Sequence, residues 1–250
     1  RRQLYMRNRI LQTANIVTSI SPWHQQLLAH YNQNTHLIYN GYDADIFVPQ
    51  NTISKYFYIT YLGKLYSTQL RDPRLLFEAL KQLIAAHQID ASVIRVLFHT
   101  DSKGIKEIQE LGEHYKLTEL LDINGYIPRQ EILPIMHKSS ILLVLTTKST
   151  SNGTHGIMGT KFFENIGVEK PILCVRSDEE CLADAIHKTN AGLAATNVEE
   201  VKRFILDKYH EWQQNGFTRQ AVINKEQFSR EKQAQQFEQL FIHTLKSHNS

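Results

Sequence analysis

The sequence is poor in the residues on which most simple functional assignments rest. It has two cysteines in 250 residues, Cys174 and Cys181. Their spacing makes neither a C-x-x-C pair nor a disulfide framework. Cys174 lies in an apolar run, so a buried free thiol is expected there, which suits a reducing cytoplasm. No stretch approaches the roughly 18 continuous apolar residues of a membrane-spanning helix. Charge of one sign is scarce as well. Lys and Arg total 28 against 25 Asp and Glu, and a net charge of +3 gives no case for a nucleic-acid partner. Arg1, Arg2, Arg7 and Arg9 cluster at the start, where a solvated helix face explains them at least as well as a polyanion site. The 12 histidines form no H-E-x-x-H and no Cys/His cluster with ligand spacing, so no metal site is expected. There is no G-x-S-x-G elbow, no G-x-G-x-x-G and no Walker lysine–threonine pair. There is no signal peptide and no initiator methionine; the chain opens inside a helical pattern and reads as a piece of something longer.

What is present is a regular alternation. A basic helix ending near Thr13 precedes a short strand, Asn15 to Ser21, and a helix that starts at Ser21-Pro22 and ends near Tyr31. "THLIYNGYD" reads as a second strand and turn, and the polar stretch from Asp43 to Lys55 as a hinge. Strands "YFYITYLG", "SVIRVLFHT", "LLDINGY", "ILLVLTT", "PILCVR" and "AGLAAT" then alternate with amphipathic helices. Asp72 is expected to cap the first of those helices, with Pro73 at its first position. Continuous Val/Ile/Leu runs between amphipathic helices mean a parallel sheet covered on both faces. The expected fold class is therefore α/β, a doubly wound parallel sheet from about Tyr56 to Trp212, followed by a helical C-terminal tail. In that tail Ala234, Phe237, Phe241 and Leu245 recur at helical spacing and need a surface to pack on.

In such sheets ligands bind outside the carboxyl ends of the strands, so three loops are candidates. "GKLYSTQLRD" combines Gly63, which allows close backbone approach, with the cations Lys64 and Arg71, which suit phosphate oxygens. The plain alternative is two surface cations near a turn. "TSNGTHGIMGT" carries Gly153, Gly156 and Gly159 just before a helix start, an anion site in outline. Thr160 is the expected N-cap, and Lys161 faces either a ligand or solvent. Positions 160, 163 and 164 share one helix face, which would aim Thr160 and Glu164 at the loop. Glu164, an acceptor-only carboxylate beside a phosphate site, suits the hydroxyls of a ribose; the plain reading has it bonded to the first-turn amides. The third loop, "NGYIPRQE", offers backbone near Ile127 to a base edge, or is simply a strand-to-helix turn. His155 is a polar contact or an exposed loop residue.

Several stretches together resemble retaining glycosyltransferases of family 4, which have the GT-B fold. "NGYDADIFVP" is similar to their N-G-V-D-x-x-x-F-x-P segment, and "YLGKLYSTQLRDPRLLFEAL" to their glycine-plus-basic loop and helix. "GYIPRQEILPIM" and "GTKFFENIGVEKPIL" resemble two further segments, and "AGLAATNVEEVKRFI" follows in the same order. The resemblance runs from about Ala14 to the end. It implies the Rossmann-like half of a GT-B fold that transfers a sugar from a nucleotide-sugar donor, with retention and without a metal or other cofactor. The divisions it implies are 1–48, a remnant of the acceptor domain and hinge; 49–212, the donor domain; and 213–250, helices crossing back to the amino-terminal domain. By resemblance Lys64 and Arg71 grip the donor diphosphate and are the catalytic pair, although their gap is two residues longer than usual. Gly63, Gly159, Thr160 and Lys161 line the donor site, Glu164 holds the ribose and Ile127 lies near the base. The implied partners are a UDP-, GDP- or ADP-type sugar and a glycan, lipid or other acceptor, in the cytoplasm or at the inner face of the membrane. Peripheral membrane association would run through the absent domain. The fragment alone is expected to be inactive. One departure stands out: the family often carries E-x7-E, and eight residues before Glu164 stands Gly156. That keeps a second reading open, a non-catalytic nucleotide-sugar-binding or assembly module of the same fold. Nucleotide-sugar epimerases, a third reading, lack the N-G-x-D linker and this tail.

Overall fold

A computed structural model describes residues 2–146, 155–175 and 180–248. Gly153 and the first part of its loop lie outside the described residues, as do Arg1, Thr147, Arg176 and Asp178.

The first part of the chain is a small layer of its own. Helix α1 (Arg2–Thr13) leads to β1 (Val17–Ser19), α2 (Pro22–Ala29) and β2 (Thr35–Leu37), and β1 pairs with β2 in parallel. Helix α2 starts where its sequence says it should: the Ser21 hydroxyl accepts the His24 amide, and Pro22 fills the first helical position. It ends at Ala29, two residues before Tyr31.

The main sheet follows the irregular segment after Tyr42. Its strands are β3 (Phe57–Leu62), β4 (Ile94–His99), β5 (Leu121–Asn124), β6 (Ile141–Leu145), β7 (Ile172–Val175) and β8 (Gly192–Ala195). Their spatial order is β5-β4-β3-β6-β7-β8, and every pair is parallel. The intervening helices are α3 (Arg74–Ala85), α4 (Ser102–Tyr115), α5 (Arg129–Lys138), α6 (Thr160–Gly167), α7 (Glu180–Lys188) and α8 (Val198–Asn215), with α9 (Arg230–His248) as the tail. The doubly wound α/β expectation holds.

Period-two side-chain alternation explains why the strands read as unbroken apolar runs. Ile141, Leu143, Leu145, Leu173 and Val175 point into a core shared with α3, α4 and α8, whereas Leu142, Ile172 and Cys174 point into smaller clusters with α5, α6 and α7. Phe57 anchors the larger core edge-on against Tyr209 and Trp212 of α8, and the Trp212 indole donates to the Ser54 carbonyl at 3.1 Å. Cys174 is buried, as expected. Asp72 does accept the Arg74 amide at 2.9 Å, but Pro73 stands outside α3, which begins at Arg74. The backbone carbonyl of Pro73 accepts from the Leu76 amide at 2.9 Å, so Pro73 is the N-cap and the cap is shifted by one residue.

The chain returns to the hinge before α9. Tyr42 pairs with Ser229, its amide donating to Phe228 and its carbonyl accepting from Arg230, and Gln233 donates to the Asn40 carbonyl at 2.9 Å. Phe237, Phe241 and Leu245 remain exposed along α9.

Lys170 lies almost fully buried below the sheet, its ammonium donating to the Thr218 carbonyl at 3.1 Å, while Thr218 in turn donates to Ser140. Burial pushes its pKa down to about 8, with Glu211 acting weakly in the opposite sense. Between about pH 8 and 10.5 the unfolded chain therefore holds a proton that the native state has released, and stability rises with pH across that window. Urea unfolding of wild type and Lys170→Met at pH 7 to 10 should show wild type gaining about 2–3 kcal/mol on the variant as the pH rises. A difference that does not move with pH would remove the buried-lysine account.

Candidate functional site

The strand order reverses between β3 and β6, so the loops leaving these neighbours diverge and leave a crevice at their carboxyl ends. A cavity of about 260 Å³ sits there. It is lined by the ends of β3 and β6, by the loop after β3 and by the start of α6. Of the residues singled out in the sequence, Gly63, Lys64, Arg71, Gly159, Thr160 and Lys161 all line it. Glu164 does not, although it touches a residue that does. Ile127 is not in the lining either; it packs against the cluster of Leu62, Met136, Leu142 and Val168.

The loop after β3 is tied down at three points. Gly63 donates to the His99 carbonyl at 3.1 Å, the Leu65 amide to the Thr100 hydroxyl at 3.0 Å, and the Thr68 amide and hydroxyl both to one oxygen of Glu107. Burial alone would raise Glu107, but the Thr68 bonds and Lys103 outweigh it and hold the carboxyl below its ordinary range. The loop after β3 is thus held by hydrogen bonds at both its ends and its middle.

That structure presents two cations together. The Tyr66 ring has the Lys64 ammonium 4.7 Å and the Arg71 guanidinium 4.9 Å from its centroid. Tyr66 holds φ at 63°, a backbone state that turns the loop back on itself. Behind it, the Tyr61 hydroxyl donates to the Lys64 carbonyl at 3.0 Å and accepts from Arg71 Nη1 at 3.2 Å. Arg71 Nη1 also donates to the Lys64 carbonyl. Burial raises the Tyr61 pKa and Arg71 lowers it, with the first effect larger, so the hydroxyl stays a donor. Arg71 Nε is buried without a partner. Tyr61, Tyr66, Thr100 and Glu107 had not been singled out in the sequence; the only available signal was an aromatic between two cations in "KLYSTQLR".

On the opposite wall the cap expectation needs correcting. Gly159, not Thr160, is the N-cap of α6, with φ −65° and ψ 146° and no side-chain cap, and Thr160 is the first helical residue. A glycine there brings no side-chain cap of its own to the first turn of the helix. The shared-face expectation also fails at Phe163, which is fully buried in the core while Thr160 is exposed. Glu164 is bonded to Lys161 Nζ at 2.7 Å, not to the first-turn amides. Lys161 thus faces the cavity and its carboxylate partner at once.

Gly156 has φ +67°, which a side chain rarely tolerates. A Cβ there would stand 2.7 Å from Ser21 Oγ, 2.8 Å from Trp23 Cβ and 3.0 Å from His24 Nδ1. The start of α2 therefore packs on the loop where the resembled family often has glutamate. His155 stacks on Trp23, centroids 5.2 Å apart.

Among the described residues, no group of three or more His, Cys, Asp and Glu is placed to hold a metal ion, and no helix is long and apolar enough to cross a membrane.

No family model matches the sequence, and no curated protein matches it. Solved structures do. Sucrose-phosphate synthase from Thermosynechococcus elongatus superposes over 98% of this chain and 62% of its own length, with a TM-score of 0.67 at 17% identity. Anabaena Alr3699/HepE, in complex with UDP-glucose, covers 94% of this chain and 66% of its own, with a TM-score of 0.70 at 15% identity. TarM of S. aureus, in complex with fondaparinux, alpha-GlcNAc-glycerol and UDP, covers 96% and 46%, with a TM-score of 0.65 at 12% identity. This chain spans less than two thirds of each of these proteins. At such identities the likeness establishes the fold alone: the chain has the Rossmann-like half of a GT-B fold with a helical C-terminal tail.

Proposed function

We propose that this chain is the donor-binding part of a glycosyltransferase that uses a nucleotide sugar. One observation carries the reading: Lys64, Arg71 and the first turn of α6 line a single cavity at the point where the strand order reverses. Two cations and a helix N-terminus facing each other make a diphosphate clamp. As the sugar–phosphate bond breaks, negative charge grows on the leaving diphosphate, and groups already fixed around it stabilise that charge without reorganising. Arg71 is held at Nη1 by the Tyr61 hydroxyl, and its Nε lacks a partner that a phosphate oxygen can become. Glu164 takes the ribose hydroxyls, with Lys161 holding its carboxylate in place. Ile127 flanks the base from the next loop. Segment 49–212 is then the donor domain, 1–48 the end of an acceptor domain with its hinge, and 213–250 the return to it. The complexes of the structural neighbours with UDP-glucose and UDP support the donor class. Transfer proceeds with retention, to a glycan or lipid acceptor hydroxyl.

A second reading, a module that binds the nucleotide sugar without transferring it, is favoured by Gly156, whose backbone and neighbours leave no room for a carboxylate. Assay of the whole protein with UDP-, GDP- and ADP-sugars separates the two by turnover.

Calorimetric titration of this chain with UDP, GDP and ADP tests the site directly. One of them should bind, and Arg71→Ala should weaken it about tenfold or more. Wild type should prefer the ribonucleotide over its 2′,3′-dideoxy analogue by about tenfold, a preference that Glu164→Ala abolishes. Failure of all three nucleotides to bind, or equal discrimination in Glu164→Ala, defeats the assignment. Glu107→Ala, which frees the loop without touching the cavity, should cost about three- to tenfold in affinity while leaving the ribose preference intact.

A further inference from the structure

Tyr61 and Tyr66 line the cavity beside Lys64 and Arg71, and each holds the cations by a different chemistry. Tyr61 is buried on β3, its ring tilted against Phe98 with centroids 5.7 Å apart. Its hydroxyl reaches out of that core to a single node, donating to the Lys64 carbonyl at 3.0 Å and accepting from Arg71 Nη1 at 3.2 Å. Arg71 Nη1 donates to the same carbonyl, so the guanidinium is oriented through one edge by a side chain fixed in the sheet. Tyr66 acts on the charges themselves. The Lys64 ammonium and the Arg71 guanidinium lie 4.7 Å and 4.9 Å from its ring centroid. Tyr66 belongs to none of the apolar clusters among the described residues, so core packing does not account for its place. Its φ of 63° is unfavourable for a side chain of this size, and the contact with the two cations stands against that cost.

A single phosphate group can be met by one long cationic side chain wherever it swings. A diphosphate presents two phosphate groups, and it gains most from two cations already held as a pair. We infer that Tyr61 and Tyr66 are positioning residues that make the cavity select a diphosphate over a single phosphate. The inference rests on the nucleotide-sugar reading of the cavity and adds to it the residues that set the phosphate count. Tyr61 restricts the direction of the guanidinium, and Tyr66 keeps both charges against one ring despite their repulsion. Without either tyrosine both cations remain, but no longer as a pair of fixed separation.

Calorimetric titration with the nucleoside diphosphate that binds wild type, and with the monophosphate of the same nucleoside, reads this selection as a ratio of affinities. Tyr66→Phe keeps the ring, whereas Tyr66→Asn removes it and still suits the left-handed backbone. Tyr61→Phe removes only the hydroxyl. Wild type should favour the diphosphate by about tenfold or more, and Tyr66→Phe should keep that ratio within about twofold. Tyr66→Asn and Tyr61→Phe should bind the diphosphate about five- to tenfold more weakly and the monophosphate within about twofold of wild type. Retained monophosphate binding also shows that each variant keeps a folded cavity. A wild type without the preference overturns the inference and leaves the reading standing. So does a ratio unchanged in Tyr66→Asn and Tyr61→Phe, or diphosphate binding that tightens in either. Parallel loss of both ligands also overturns it, because the tyrosines are then structural, as does a Tyr66→Phe variant as weak as Tyr66→Asn. Failure of every nucleoside diphosphate to bind wild type removes the reading and the inference together.

Discussion

The cavity depends on holding Lys64 and Arg71 side by side over one aromatic ring. Like charges brought together repel, and side chains this long would ordinarily swing apart into water. Here the repulsion is offset locally. One aromatic ring, Tyr66, offers its electron-rich face to both cations, and one carbonyl, that of Lys64, accepts from the Arg71 guanidinium and the Tyr61 hydroxyl together. The same arrangement leaves Arg71 Nε buried without a hydrogen-bond partner among the described residues, a cost the surrounding contacts offset.

The fold serves this arrangement through its two central strands. β3 and β6 are buried on both faces, so neither can shift register without moving apolar side chains into the wrong cluster. Their carboxyl ends are therefore fixed points. From one, the loop to Arg71 is carried outward and tied to the turn after β4 through Thr100 and to α4 through Glu107. On the other face Phe162 and Phe163, fully buried, lock the first turn of α6 to the sheet. Each wall of the cavity is held by its own core, with the sheet between them.

The fold was legible because burial on both faces writes itself as unbroken apolar runs such as "ILLVL", and amphipathic helices between them admit few other solutions. The cations were legible from their place at a strand end. What was not legible depends on side-chain direction across elements. Whether Thr160 caps α6 or begins it depends on one backbone residue, Gly159, and with it whether the capping residue has a side chain to offer. Glu164 was placed on a face with Phe163, but the helix buries Phe163 and turns Glu164 to Lys161, because a benzyl group gains far more from the core than a shared face at 160, 163 and 164 can offset. Glu107 was invisible for a plainer reason: its partner Thr68 lies 39 residues away in sequence, and no periodicity reports such a bond.

Gly156 shows how far a missing residue can mislead when it is considered alone. Against the pattern it resembles, the sequence shows a carboxylate lost at this position, and the easiest conclusion is lost chemistry. The geometry points differently. A residue kept at φ +67°, with Ser21 and two side chains of α2 closing on the place where its Cβ would be, is under a steric constraint. If the loop had simply lost a ligand, any small residue would serve and α2 would have no reason to approach. Instead α2 brings a hydrogen-bonded serine–histidine pair and an indole to that point, and the serine is buried to hold the histidine. Burying a hydroxyl costs free energy unless its bonds are made, and Ser21 makes them with the His24 amide and ring, so the contact of this turn with Gly156 is a satisfied one.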